Sequence, residues 1–328
     1  MRIITFDDFI DVYTKGKKRG LNFLLSKLSV SKNKRTQSAF DQTREINVNW
    51  WNVPLVRKRW NQKICGSSEK NHLTYLLEDL LANKKNLKLL SLGSGLCGEE
   101  MKMAQSGKFE EIICLDLSKY RMDQARARAK KEGLQNMKFI NQAINKFDFP
   151  EQHFDIVFFR ASLHHFKDVS TLLSEKVKNT LKPGGLVIIN EYVGPNRMQY
   201  PDHQIKAINE ALQMIPKPLK KRSQSGFYKN KFYGSGVLRM LIADPSECIE
   251  SEKILPALHQ HFEIVAEKPY GGNILANVLK DIAHHFIELN SENEKTLKDL
   301  FAFEDEYLKK NPSDYLFGVY RNEENRQH

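Results

Sequence analysis

Residues 93–98 read Gly-Ser-Gly-Leu-Cys-Gly, between an apolar run at Leu89–Leu92 and a helical stretch, and a second apolar run at Ile112–Leu115 closes on Asp116. In a βαβ unit this spacing serves a nucleotide. Gly93 permits the tight turn, Gly95 lets a ligand approach the backbone, and Gly98 lets the helix pack on the sheet. Asp116 falls about 20 residues after the glycines, at a strand tip, where a carboxylate accepts from ribose hydroxyls. A second group follows the apolar run Phe154–Phe158: Arg160, Ser162, His164 and His165. Imidazole titrates near neutrality, so His164 or His165 can take a proton, with Glu191 as the rival base. No third metal ligand is dependably spaced beside the two histidines, and no metal is expected.

From the glycine turn onward the chain resembles class I S-adenosylmethionine-dependent methyltransferases. The resemblance rests on Leu115-Asp116-Leu117-Ser118 with Met122-Asp123-Gln124-Ala125-Arg126, on Phe147-Asp148-Phe149-Pro150 with Phe154-Asp155-Ile156-Val157-Phe158, on Leu163-His164-His165-Phe166, and on Leu181-Lys182-Pro183-Gly184-Gly185 before Leu186–Ile189. These come in order over residues 87–195, and a nicotinamide dehydrogenase would share only the first motif. The resemblance implies S-adenosylmethionine as methyl donor and S-adenosylhomocysteine as product. It implies Gly93, Ser94 and Gly95 at the methionine moiety, Asp116 at the ribose, and Leu117, Gln142 and Ala143 at the adenine. Arg160 and Ser162 would then face the sulfonium, with the histidines beyond. Two positions depart from the family: Ser91 stands where an acid usually precedes the glycine turn, and Gln142 replaces an acid at the adenine. An amide can still hydrogen-bond the adenine edge.

These residues must be positioned by alternating strands and helices, which predict an α/β fold with a doubly wound, mostly parallel sheet. The family implies a Rossmann-like sheet of seven strands whose last strand is antiparallel and inserted beside the fifth. The expected division is an N-terminal helical or lid region at 1–85, a cofactor-binding core at 86–194, an inserted cap forming the acceptor site at 195–255, and completion of the sheet at 256–328. Apolar positions at helical spacing (Phe9, Ile10, Tyr13, then Leu21, Phe23, Leu24, Leu28) predict helix within 5–30, and the polar stretch 31–45 reads as a linker. In the C-terminal part a strand is expected at His261–Ala266, helices at Asn273–Leu289 and Leu297–Lys309, and a last strand at Tyr315–Tyr320. Glu191–Tyr200, Asp244–Pro256 and Tyr270–Leu275 resemble a bacterial branch of these methyltransferases, which strengthens the fold and leaves the acceptor open.

For the acceptor, the aromatic residues Trp50, Trp51 and Trp60, with Phe227, Tyr228, Phe232 and Tyr233 of the cap, suit either a water-excluding lid or the packing of an N-terminal helix. Trp51, Tyr192 and Tyr233 are candidate acceptor contacts, and Arg197 could bind an acceptor carboxylate or phosphate. The formal charge is +11, and residues 1–60 alone hold 13 basic against 5 acidic side chains. Such charge can attract an anionic acceptor, an anionic membrane surface or nucleic acid, or only aid solubility. Arg160-Ala161-Ser162-Leu163 lacks the Asn/Asp-Pro-Pro-aromatic motif, so a small-molecule or lipid-like acceptor methylated at O or N is preferred. Nucleic-acid methylation and a non-catalytic cofactor-binding protein are the alternatives. Four scattered cysteines without CxxC spacing indicate free thiols in a reducing compartment, and MRIITFDDFIDVY is neither signal nor transit peptide. No apolar run approaches the ~20 residues a spanning helix needs. The expectation is a cytoplasmic monomer or homodimer.

Overall fold

A computed structural model describes residues 1–14 and 48–323. The expected linker at 31–45 and the apolar positions 21–28 lie outside the described residues.

Among the described residues seven strands form one sheet: β1 Leu87–Leu92, β2 Phe109–Asp116, β3 Met137–Asn141, β4 Phe154–Arg160, β5 Leu181–Tyr192, β6 Glu263–Gly271 and β7 Tyr315–Arg321. Their order is β3-β2-β1-β4-β5-β7-β6. Neighbours among the first five strands pair in parallel, while β7 runs antiparallel between β5 and β6. This is the Rossmann-like sheet that the family resemblance implies, with its last strand reversed beside the fifth. Strands buried on both faces read as continuous apolar runs. Thus Leu89, Ile112, Phe158 and Ile188 enter one core layer, and Leu90, Leu92, Phe159 and Ile189 enter the opposite one.

Strand order reverses between β1 and β4, so the loops leaving both strands open at one crevice, the usual ligand position in open α/β sheets. Helix α3 (Gly98–Gln105) leaves the first loop, and α4 (Lys119–Lys131) follows β2. Before them come α1 (residues 6–14) and α2 (Pro54–Cys65), the latter started by Pro54 and stopped by Gly66 at φ 73°.

A third core joins the 195–255 segment, expected as the cap, to residues 50–56 and 274–300. Helix α5 (Asp202–Gln213) buries Ile208, Ala211 and Leu212 against Ile274, Val278, Leu297 and Leu300, and Trp50 and Val53 join them. The cap continues through α6 (Val237–Ala243), and α7 (Ile254–His261) returns to the sheet. Helix α8 (Ser291–Leu308) begins earlier than the apolar spacing predicts, because Asn290 and Asn293 cap it reciprocally. The helix expected over 273–289 is instead two short turns, Leu275–Leu279 and Ala283–Phe286. The break follows from the cap. Lys229 Nζ donates to the carbonyls of Asn277 and Lys280, and Arg222 pairs with Asp281 at φ 68°. Lys229 thus satisfies carbonyls at the break, and the Arg222–Asp281 pair holds the left-handed residue between the two turns.

Candidate functional site

The first half of the crevice is built by the glycine turn. Gly93 and Gly95 both sit at positive φ, 72° and 56°. A side chain at Gly93 would also strike Ser162, its Cβ only 2.7 Å from that of the serine. The loops after β1 and β4 are therefore in contact, and Ser162 Oγ donates to the Leu92 carbonyl at 2.7 Å. Cys97 (φ 54°) and Ala161 (φ 48°) hold left-handed conformations in the same two loops, a strain of about 1–3 kcal/mol each that tends to concentrate at functional sites.

Asp116 ends β2, accepting from Gly95 N–H at 2.8 Å and from Ser118 N–H at 2.8 Å. One carboxylate thus ties the glycine turn to the second strand. Asn141 donates to the carbonyls of Asp116 and Leu117, and Gln142 N–H donates to Asp116 O. The predicted adenine and ribose residues are therefore neighbours on the tips of β2 and β3. The Arg121 guanidinium lies beside Gly95, 3.5 Å from where a Cβ would stand. An α-amino acid carboxylate could pair with it. Turn, pinned aspartate, polar adenine-side residues and adjacent arginine together suit an adenosyl amino acid.

Behind the turn, the missing acid is supplied from elsewhere. Ser91 Oγ donates to Glu100 Oε1 at 2.6 Å, bringing a buried carboxyl from α3 to the strand position. Burial pushes Glu100 up to about 7, only partly opposed by the serine bond. Its neighbour Glu99 goes the other way. Burial alone would raise it, but His72 and Arg160 outweigh that and hold it low.

The second half of the crevice holds the histidines. Glu191, fully buried at the end of β5, accepts from Ser162 N–H, from Leu163 N–H at 2.7 Å and from His164 Nδ1 at 2.6 Å. Burial opposes a charge on His164, yet the Glu191 carboxylate, aided by Glu247 and Asp244, lifts it to about 9. His165 behaves oppositely: burial and the adjacent His164 cation push it below the ordinary imidazole value. Their ring centroids are 4.2 Å apart. At neutral pH this is a charged imidazole beside a neutral one. Ser246 Oγ donates to Asp244 at 2.6 Å and so accepts from His165 Nδ1 at 3.1 Å. The Nε2 of His165 then carries the lone pair, 4.0 Å from a Glu247 oxygen.

Glu247, Asp244 and Ser246 come from the cap and were not among the sequence candidates, because acids some 80 positions away in an acid-rich loop carry no spacing signal. His164, His165 and Glu247 place ligand atoms within 4.8 Å of one another, a geometry that could admit a divalent cation. The proton that Glu191 holds on His164 competes with such an ion.

The four candidate acceptor contacts separate. Tyr192 is buried, its ring 6.4 Å from His164 and its hydroxyl donating to Pro195 O. Arg197, at φ 55°, donates to the Glu247 carbonyl and so borders the histidines. Trp51 is exposed near Arg57, and Tyr233 packs on Phe6 with Lys231 over its ring. Trp50 and Trp60 pack edge-to-face in the cap core rather than standing open. Arg160 reaches back to Glu99.

A family model described as a methyltransferase domain matches residues 83–301. An uncharacterized methyltransferase of Bacillus subtilis, YcgJ, is 27% identical over 128 residues, 35% of this chain and 49% of that protein. Phosphoethanolamine N-methyltransferase 3 of Arabidopsis thaliana is 30% identical over 128 residues, 39% of this chain but 25% of that protein. The chain therefore spans about half or less of these relatives' length. Among solved structures, the 4+2 cyclase SpnF aligns over 98% of both chains at 14% identity with a TM-score of 0.46.

Proposed function

This chain belongs to the class I S-adenosylmethionine-dependent methyltransferases, and we propose that it methylates an oxygen or nitrogen of a small-molecule or lipid-like acceptor, with His165 receiving the acceptor's proton. The observation that carries the reading is the pair of adjacent imidazoles at the carboxyl end of β4, one bonded at 2.6 Å to the buried Glu191 carboxylate and the other to the Ser246 hydroxyl, a geometry that drives their proton affinities apart. Titratable neighbours whose values are driven apart mark acid and base roles.

Gly93, Ser94 and Gly95 hold the methionine moiety with Arg121, Asp116 holds the ribose, and Leu117, Gln142 and Ala143 border the adenine. Arg160 and Ser162 shape the wall toward the histidines. Bound S-adenosylmethionine supplies an already activated methyl group, so the protein has chiefly to keep donor and acceptor in line. His165 Nε2 takes the proton that the acceptor releases. His164 remains protonated on Glu191 and keeps its neighbour neutral, so Glu191 orients rather than abstracts. Arg197 and Tyr192 border the acceptor, whereas Trp51 is exposed beside Arg57 and Tyr233 packs on Phe6. A relative named for phosphoethanolamine N-methylation supports a small acceptor.

The test is methyl transfer from labelled donor to fractionated cell extract, comparing the parent protein with His165→Ala. Label in small organic-soluble products, lost in the variant while donor binding persists, is the expected result. Label in RNA, DNA or protein instead would overturn the acceptor class.

A further inference from the structure

Helix α1 is mounted backwards for a surface helix. Its acidic stripe, Asp7, Asp8 and Asp11, faces the protein, and its apolar stripe faces out: Phe6 is 59% exposed and Phe9 64%, while Asp8 is 5% exposed. Helices on globular proteins normally bury the apolar stripe.

The inward stripe is fully bonded. Asp8 accepts from Arg239 at 2.7 Å, from Gly236 N–H at 3.0 Å and from Thr5 N–H at 2.7 Å. Asp7 takes Tyr233 N–H at 2.6 Å and lies 3.4 Å from Arg222, and Asp11 pairs with Arg239 at 3.1 Å and Lys280 at 3.2 Å. Rolling the helix to hide its phenylalanines would strip the largely buried Arg239 of the two carboxylates it pairs with and Arg222 of one of its two, a costly exchange. The outward apolar stripe is thus a fixed property of the fold.

The cap extends this stripe. Tyr233 packs edge-on against Phe6 at 5.6 Å and Phe227 meets Tyr13 at 5.9 Å, while Leu238 and Leu241 of α6 are exposed beside them. Lysines stand among the aromatics: Lys231 lies over Tyr233 at 5.1 Å and Lys217 over Tyr228 at 5.9 Å, and Lys221 is exposed. The carboxylates of α1 point inward and are neutralised, so the lysines dominate the charge of the outer face.

From this arrangement we infer that α1 and the adjoining cap form an interfacial docking surface for an anionic lipid bilayer. Protruding aliphatic and aromatic side chains enter the headgroup boundary, and lysines meet lipid phosphates with their apolar stems buried. Charge complementarity decides the occupant: a second copy of this chain would bring lysine against lysine. No described helix is long and apolar enough to cross a membrane, so attachment through this face is peripheral. This goes beyond the methyl-transfer reading and does not depend on it.

The experiment is co-sedimentation of the full chain with vesicles of phosphatidylcholine alone or with roughly a third phosphatidylglycerol, whose anionic headgroups make the surface potential negative. Binding to the anionic vesicles is expected, falling about tenfold or more in Phe6→Ser/Phe9→Ser and severalfold in Lys217→Gln/Lys231→Gln or in 0.5 M salt (a Debye length of about 4–5 Å). Both variants alter exposed side chains, and unchanged circular dichroism and donor binding establish that they fold. Absence of binding, equal binding to neutral vesicles, or binding that survives Phe6→Ser/Phe9→Ser overturns the proposal. A concentration-dependent dimer lost in that variant, without vesicle binding, assigns the face to a second copy and overturns it too.

Discussion

Glu191 Oε2 lies 2.6 Å from His164 Nδ1, and through that one bond a fully buried carboxylate sets the proton state of the next residue as well. A cation fixed on His164 depresses His165, which sits beside it with its rings 4.2 Å away. The pair therefore divides its labour by charge, although the two residues are chemically identical.

His165→Ala should lower kcat by about 10²–10⁴-fold, the usual contribution of a general base, while leaving donor affinity unchanged. The acidic limb of the kcat/KM profile should fall below the ordinary histidine value. Glu247→Gln should move it lower still, because Glu247 opposes the depression, and His164→Gln should move it up. Chelators should leave activity intact. A limb that His164→Gln does not move would remove the basis for assigning roles by charge.

Glu191→Gln breaks a buried pair and should destabilise the fold by about 3–5 kcal/mol at pH 6. The folded value of His164, about 9, lies above its unfolded value of about 6.5. The pair's stabilisation is therefore complete below about 6.5 and is lost as pH rises through 9. Urea unfolding of parent and variant should accordingly differ most at pH 6 and converge by pH 10. A gap independent of pH would mean the bond stabilises without holding a proton.

Asp116→Ala should weaken binding of S-adenosylmethionine and S-adenosylhomocysteine at least tenfold, about 1.4 kcal/mol. In the proposed pose Asp116 faces the ribose, and its carboxylate accepts from Gly95 N–H, so Asp116→Asn should recover part of the loss. Calorimetric titration of both ligands measures this. Unchanged affinity in the alanine variant would place the cofactor elsewhere.

Glu100→Gln tests the relocated acid. Burial raises Glu100 from 4.5 to about 7, so ionising it costs the folded state. That cost is absent below about 4.5, grows as pH rises toward 7, and stays constant above it. The glutamine variant should be more stable than the parent by about 1–3 kcal/mol at pH 8, a few degrees in Tm, and equal to it at pH 4.5. A lower Tm at pH 8 would show that the Ser91 bond requires the ionised carboxylate.

Legibility in the sequence followed locality. The strands were readable because parallel strands buried on both faces must be continuously apolar, as Leu87–Leu92 and Phe154–Arg160 are. The glycine-turn half of the crevice was readable because Gly93, Gly95 and Asp116 belong to one βαβ unit, in which spacing along the chain determines spacing in space. The histidines could be placed at a strand end for the same reason. Their difference could not, since it arises from Glu191, 27 residues on, and from cap residues beyond position 240.

The helical spacing of Phe9, Ile10 and Tyr13 was also visible, but periodicity defines a stripe without saying which side faces the protein. That was decided by Arg222, Arg239 and Lys280, which draw the acidic stripe inward from positions more than 200 residues away. Likewise the helix expected at 273–289 breaks before Asp281, at φ 68°, where Arg222 pairs with that aspartate and Lys229 takes up the Lys280 carbonyl. What the sequence by itself determined was the βαβ unit with its glycine turn, the sheet and the position of the histidine pair, all consequences of short-range geometry. Which imidazole is charged, where the second acid comes from and which face of α1 meets solvent were left to the tertiary structure, because burial and electrostatic pairing exist only after distant segments pack together.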